Sequence, residues 1–222
     1  MSKHLCFGWV GDSIAEGYGD YITISCMGIS ARFNRTELNI VGNPTQVHYN
    51  MGASGRLVNQ YIDIAKSIID ADPSRFSAII TSVWSPNIPP GALSVGDWST
   101  DPVNLAEMIS YLEDFEQWLL DRSIVFMPVF LCGSYSGFNT ANRIALQGHL
   151  DNCKSKWSWL LNFNEPIQDP AYTDGPRIGP DYGHDGIHPD DRGYDAQYDW
   201  GASRLIPAFN QACTAYGFVD EL

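Results

Sequence analysis

Short apolar runs alternate with segments of helical spacing along this chain, and that alternation constrains the fold more than any other feature. Leu5–Val10 (L-C-F-G-W-V) is a continuous apolar run and a candidate buried strand. Gln46–Met51 (Q-V-H-Y-N-M) reads as a weaker strand ending at Gly52. Arg56–Ala71 then places Leu57, Tyr61, Ile64, Ala65, Ile68 and Ile69 at helical intervals. Ser77–Trp84 (S-A-I-I-T-S-V-W) is rich in β-branched residues and stops at Pro86, which predicts a third strand. Thr100-Asp101-Pro102 is a helix start, with Asp101 as the cap and Pro102 in the first turn. The helix it opens has one apolar face, formed by Leu105, Ile109, Leu112, Phe115 and Leu119. Ser123–Cys132 is hydrophobic enough to be a strand buried on both faces. A fifth strand is expected within Lys156–Phe163, and a last helix over Ala202–Tyr216 closing at Gly217. Pro207 marks the first turn of that helix or kinks it.

Strands alternating with helices imply crossover units and a parallel sheet covered on both faces. The expectation is an α/β fold: a three-layer α/β/α sandwich, flavodoxin-like, with about five parallel strands. No internal repeat or low-complexity segment interrupts the chain, so residues 1–222 are expected to form a single domain. Apolar residues make up 44% and charged residues 18%, which is a globular composition. The net charge of −13 argues against nucleic acid and anionic membranes as partners.

The sequence has no apolar run long enough to span a membrane and no signal-peptide pattern. The expected localisation is therefore cytoplasmic, or that of a domain within a larger secreted or virion-associated chain. Cys6, Cys26, Cys132, Cys153 and Cys213 are dispersed without C-x-x-C spacing, which implies free thiols rather than a disulfide or zinc framework.

In open parallel sheets, ligands bind just past the carboxyl ends of the strands. By that rule Ser13, Gly52 and Asn87 share one rim, each following a predicted strand. A second signal comes late, in the Gly- and Pro-rich stretch Gly183-His184-Asp185-Gly186-Ile187-His188-Pro189-Asp190. Loops of this kind, held on a rigid scaffold, often carry function. Asp185 can turn back to accept the Nδ1–H of His188, leaving Nε2 for a serine hydroxyl. A nucleophilic serine requires that combination of a base and an acid that orients it. The His184/His188 spacing also suits a metal pair on a helix face, but Gly186 and Pro189 oppose a helix there. No metal or other cofactor is expected.

Four blocks together resemble the SGNH hydrolases, the GDSL-like esterase and lipase superfamily. They are Gly11-Asp12-Ser13-Ile14 followed by Gly17-Tyr18-Gly19, Asn50-Met51-Gly52-Ala53-Ser54-Gly55, Ser85-Pro86-Asn87, and Asp185-Gly186-Ile187-His188-Pro189. The resemblance implies a triad of Ser13, His188 and Asp185. It also implies an oxyanion hole formed by the backbone N–H groups of Ser13 and Gly52 and the side-chain amide of Asn87. The third block departs from the family pattern, with Ser85 where glycine is usual and Ile88 where aspartate is usual. Asp12 is assigned to holding the turn under Ser13.

Trp84, Tyr18, Tyr182 and His184 are candidates to line the substrate site, with core packing the competing role for Trp84. His48 is expected to be packed or hydrogen-bonded, and His4 and His149 to lie at the surface. The expected activity is hydrolysis of short-chain acyl esters, foremost O-acetyl groups on a carbohydrate, so the expected partner is a small ester or an acetylated glycan. The alternatives are a lipase or thioesterase of the same fold, or an inactive carbohydrate-binding relative.

Overall fold

The computed structural model describes residues 5–17, 28–37, 46–85, 102–131, 139–183 and 188–218. Five strands form one parallel sheet: β1 (Leu5–Gly11), β2 (Gln46–Gly52), β3 (Ala78–Ser82), β4 (Val125–Phe130) and β5 (Leu161–Asn162). Their order is β2-β1-β3-β4-β5. The chain leaves β1 for one edge, then returns to place β3 on the other side of β1, so the direction of winding reverses at β1. Such a reversal opens a crevice at the carboxyl end of the strands.

Around the sheet lie α1 (Ser13–Glu16), α2 (Gly28–Glu37), α3 (Val58–Ala71), α4 (Pro102–Leu120), α5 (Thr140–Lys156), α6 (Asp191–Ala202) and α7 (Leu205–Tyr216). They form two layers because strand side chains alternate between faces. Ile79, Phe126 and Phe130 point into a core shared with Tyr61, Ala65 and Ile69 of α3, Leu112 and Phe115 of α4, and Leu146 and Leu150 of α5. Phe7, Trp9, Ile80 and Met127 point the other way, into a core with Ile14 of α1, Phe33 of α2, Tyr194 of α6 and Phe209 of α7. The expected three-layer α/β fold is the observed one.

Each expected strand is present; β1 and β2 run one residue further, to Gly11 and Gly52, whereas β3, β4 and β5 are shorter than expected. The predicted helix over Arg56–Ala71 begins at Val58, and the last helix runs over Leu205–Tyr216 rather than from Ala202. Pro207 is the third residue of α7, where its missing N–H belongs to a group with no intrahelical acceptor. Asp101 and Asn87 lie outside the described residues.

Two histidines separate correct from incorrect expectation. His48 is buried and accepts a 3.0 Å hydrogen bond at Nδ1 from Trp9 Nε1–H. Burial pulls its pKa down to about 3, so it stays neutral. His149 was expected at the surface but is only 2% exposed. It lies on the sheet-facing side of α5, and its Nε2 donates to the Val83 carbonyl at 2.8 Å. Cys6 and Cys153 are free thiols and Cys213 is buried; Cys26 and Cys132 lie outside the described residues. No helix among the described residues is long and apolar enough to cross a membrane.

Candidate active site

The register of the sheet brings the described residues of the first three motif blocks, among them Ser13, Gly52 and Ser85, to one rim. β1 pairs with β2 from Leu5–Gln46 through Gly11–Gly52, and with β3 from Phe7–Ala78 through Val10–Thr81. The residues following each strand therefore emerge side by side. Ala53 N–H extends the first pairing by donating to the Gly11 carbonyl at 2.9 Å.

Ser13 opens α1, a single helical turn. Asp12 caps it by accepting the Ile14 N–H on Oδ1 at 2.9 Å. Gly17 ends it at φ +93°, a left-handed conformation that glycine adopts without a steric penalty. The short turn presents the Ser13 hydroxyl at the strand end. Its Oγ stands 2.9 Å from His188 Nε2 across 175 positions of sequence. That is hydrogen-bond geometry for a hydroxyl nucleophile and its base.

The segment carrying His188 is fixed at its base. Gly183 and Pro189 form an antiparallel bridge, and Asp190 N–H donates to the Tyr182 carbonyl at 2.8 Å. Immediately afterwards Asp190 caps α6 by accepting the Gly193 N–H at 2.9 Å. Helix α6 is tied back to the nucleophile turn by Tyr194, whose hydroxyl donates to the Ile14 carbonyl at 3.0 Å. Arg32 of α2 bonds Asp191 at 3.2 Å and Asp195 at 3.0 Å, with its guanidinium 5.2 Å from the Tyr194 ring. Asp185 and His184 lie outside the described residues, as do Asn87 and Tyr18.

Gly52 is required by packing. A Cβ there would stand 2.3 Å from the Glu16 backbone nitrogen, so only glycine lets the end of β2 lie against α1. Its N–H donates to Asn50 Oδ1 at 2.8 Å, and Asn50 Nδ2 in turn donates to the Glu16 carbonyl at 3.0 Å. To serve an oxyanion, the Gly52 N–H would have to leave Asn50. Gly55, in the same block, has φ +71° and open space where a Cβ would be. Its positive φ in a turn at the ligand rim could have been anticipated from the paired glycines of the second block.

Trp84 has the core role, not a lining role. It is 1% exposed and packs with Tyr61 and Leu112, so it offers no face to a substrate. Tyr182 is partly buried against the opposite core layer. Among the described residues there is no cluster of His, Cys, Asp or Glu able to hold a metal ion.

Asp12 does more than cap. Its carboxylate is 1% exposed, and Oδ2 accepts a 2.7 Å hydrogen bond from Ser85 Oγ. Ser85 Oγ also lies 3.0 Å from the Arg56 carbonyl. The serine in the atypical third block thus touches the turns following β1 and β2. Burial pushes the Asp12 pKa up to about 6, against the opposing pull of the Ser85 and Ile14 hydrogen bonds and the nearby His188 ring.

No family model matches the sequence, and no curated protein matches it. Solved structures do. AlinE4, an SGNH-hydrolase family esterase, superposes with a TM-score of 0.55 at 19% identity, over 94% of this chain and 98% of that one. The psychrotrophic esterase EstA from Pseudoalteromonas sp., in a form inhibited by monoethylphosphonate, gives 0.60 at 9%, over 92% and 98%. A GDSL-like lipase from Bacteroides thetaiotaomicron gives 0.54 at 12%, over 93% and 88%. At these identities the likeness is one of fold, and the fold is that of the SGNH hydrolases.

Proposed function

We propose that this SGNH-hydrolase fold carries a serine esterase with Ser13 as nucleophile and His188 as general base. The observation that carries this reading is the 2.9 Å Ser13 Oγ–His188 Nε2 contact at the ligand-binding rim of the sheet. In the proposed reaction, Ser13 Oγ attacks the ester carbonyl carbon while its proton passes to His188 Nε2. Collapse of the tetrahedral intermediate expels the alcohol, which takes that proton, and leaves an acyl-serine. Water then attacks the acyl group, giving a proton to His188 Nε2; the bond to Ser13 Oγ breaks, Oγ takes that proton back, and the acid is released.

Asp185 is assigned to orient the imidazolium by accepting its Nδ1–H. The developing oxyanion is assigned to the Ser13 N–H, the Asn87 amide and a backbone N–H of the 52–55 turn. Gly52 fills that last role if substrate displaces Asn50. Each such donor can be worth about 3–4 kcal/mol in the transition state.

The substrate class proposed is a short acyl ester, foremost acetyl on a carbohydrate hydroxyl. Its support is the chain's 7 Trp and 11 Tyr, with Tyr18 and Tyr182 beside motif blocks, since aromatic faces with polar neighbours suit sugar rings. Burial of Trp84 removes one aromatic from that argument.

Turnover of chromogenic acetyl and octanoyl esters, together with acetate release from O-acetylated polysaccharides, tests the reading. Acetyl esters should be favoured at least about tenfold, or about 1.4 kcal/mol in transition-state binding. Faster octanoyl turnover without acetate release would instead assign a lipase or thioesterase. No turnover of any ester would reject the enzyme.

A further inference from the structure

Resting on the assignment of Ser13 and His188 as the reacting pair, we infer that Asp12 and Ser85 form a buried proton-sharing pair. This pair positions the nucleophile turn and sets the pH range in which His188 works as a base. Neither residue touches the reacting atoms; both act through their neighbours.

The inference starts from hydrogen-bond bookkeeping. The Ser85 hydroxyl has one proton and, among the described residues, acceptors at Asp12 Oδ2, 2.7 Å away, and the Arg56 carbonyl, 3.0 Å away. With Asp12 ionised, the hydroxyl donates to the carboxylate. With Asp12 protonated on Oδ2, the carboxyl donates to Ser85 Oγ, and the hydroxyl turns to the Arg56 carbonyl. Ile14 N–H remains on Oδ1 in both states, so the helix cap is preserved. A glycine at position 85 would offer neither arrangement. The two states differ by one proton and one hydroxyl rotation, with no movement of the backbone.

The charge on Asp12 reaches the base. Asp12 directly precedes Ser13, whose Oγ stands 2.9 Å from His188 Nε2, and an anion close to an imidazole favours the protonated ring. Tyr61, facing Asp12 from α3, also interacts with it. The phenol stays neutral because burial pushes its pKa up while its hydroxyl donates to the Ser82 carbonyl at 2.7 Å. Glu16 lies one turn along α1. On the His188 side the facing group among the described residues is Ser13; the sequence assignment adds Asp185, which lies outside them.

Asp12→Asn is the isostere of the protonated state. Its Oδ1 can cap Ile14 while its Nδ2–H donates to Ser85. The test combines kcat/KM–pH profiles with NMR titration of the His188 ring, assigned by loss of its signal in His188→Gln. In Asp12→Asn both the acidic limb of the profile and the His188 titration should move to lower pH, on the order of half a unit. Ser85→Ala should move them in the same direction, because the carboxylate loses a donor and stays protonated over a wider range. In the double variant the shift should equal that of Asp12→Asn alone. A cap that is only structural would lower kcat evenly and leave both midpoints in place, and that result overturns the pair. So would a further Ser85→Ala shift in the Asp12→Asn background. If no ester is hydrolysed, the esterase assignment fails while the NMR titration still decides the pair.

Discussion

The Tyr194 hydroxyl donates to the Ile14 carbonyl at 3.0 Å, joining residues 180 positions apart in sequence. Tyr194 is in the first turns of the helix that follows His188, and Ile14 directly follows Ser13. The bond therefore spans the two elements whose relative placement fixes the nucleophile-to-base distance. Tyr194→Phe removes only that hydroxyl. The Ile14 carbonyl keeps a second donor, Gly17 N–H at 3.2 Å, so the stability loss should be about 1 kcal/mol. Chemical denaturation measures that loss, and steady-state kinetics should show kcat falling several-fold with KM little changed. An unchanged kcat would contradict the positioning role.

Gly52→Ala should be far more damaging than its size suggests. The new methyl would meet backbone, at 2.3 Å from the Glu16 nitrogen, and backbone cannot rotate away as a side chain can. The expected loss is on the order of 3 kcal/mol. Because α1 carries Ser13, labelling by a serine-directed probe should fall along with the melting temperature. A variant with wild-type stability would show that β2 and α1 do not approach as described.

Stability should also report the ionisation of Asp12. Its carboxyl pKa is raised to about 6 in the folded chain, above the ordinary value of about 3.9. A raised folded-state value favours the native state most at low pH, and the favourable contribution is lost as pH rises through about 6. Ionised Asp12 therefore weakens the fold at neutral pH. Asp12→Asn should be more stable than the parent at pH 7.5, by up to about 2–3 kcal/mol. That advantage should shrink towards pH 4. Thermal melts of both proteins across this range check the sign; an advantage that grows on acidification would contradict it.

What could be read in the sequence follows from burial. Strands covered on both faces read as apolar runs, so β1, β3 and β4 were visible within a few residues of their true ends. Helices α3 and α4 carry continuous apolar stripes and were equally plain. Helices α2, α5 and α6 were not anticipated, because the faces they bury are not apolar stripes. α5 buries Arg143 and His149 beside Leu146, Leu150 and Cys153. α6 buries Gly193, Tyr194, Gln197 and Gly201, and the Gln197 amide donates to the Leu131 carbonyl at 2.5 Å. Polar side chains whose hydrogen bonds are made in the interior look like surface residues in a one-dimensional pattern. His149 was misplaced for that reason.

Ser13 and His188 were found by motif and meet in space. The part played by Ser85 was hidden, because a serine replacing a glycine gives no hint of the buried carboxylate it will face. The bond from the Gly52 N–H to Asn50 was equally unreadable, since it depends on a side-chain rotamer at the strand end.

The central claim is that Ser13 is a nucleophile activated by His188, and covalent labelling with a fluorophosphonate probe tests it most directly. The folded protein should be labelled at a single serine, identified as Ser13 by peptide mass spectrometry. His188→Gln should slow labelling by orders of magnitude, and Ser13→Ala should abolish both labelling and ester turnover while its circular dichroism and melting temperature stay close to the parent's. Labelling at another serine, or ester turnover that survives in Ser13→Ala, would contradict the account.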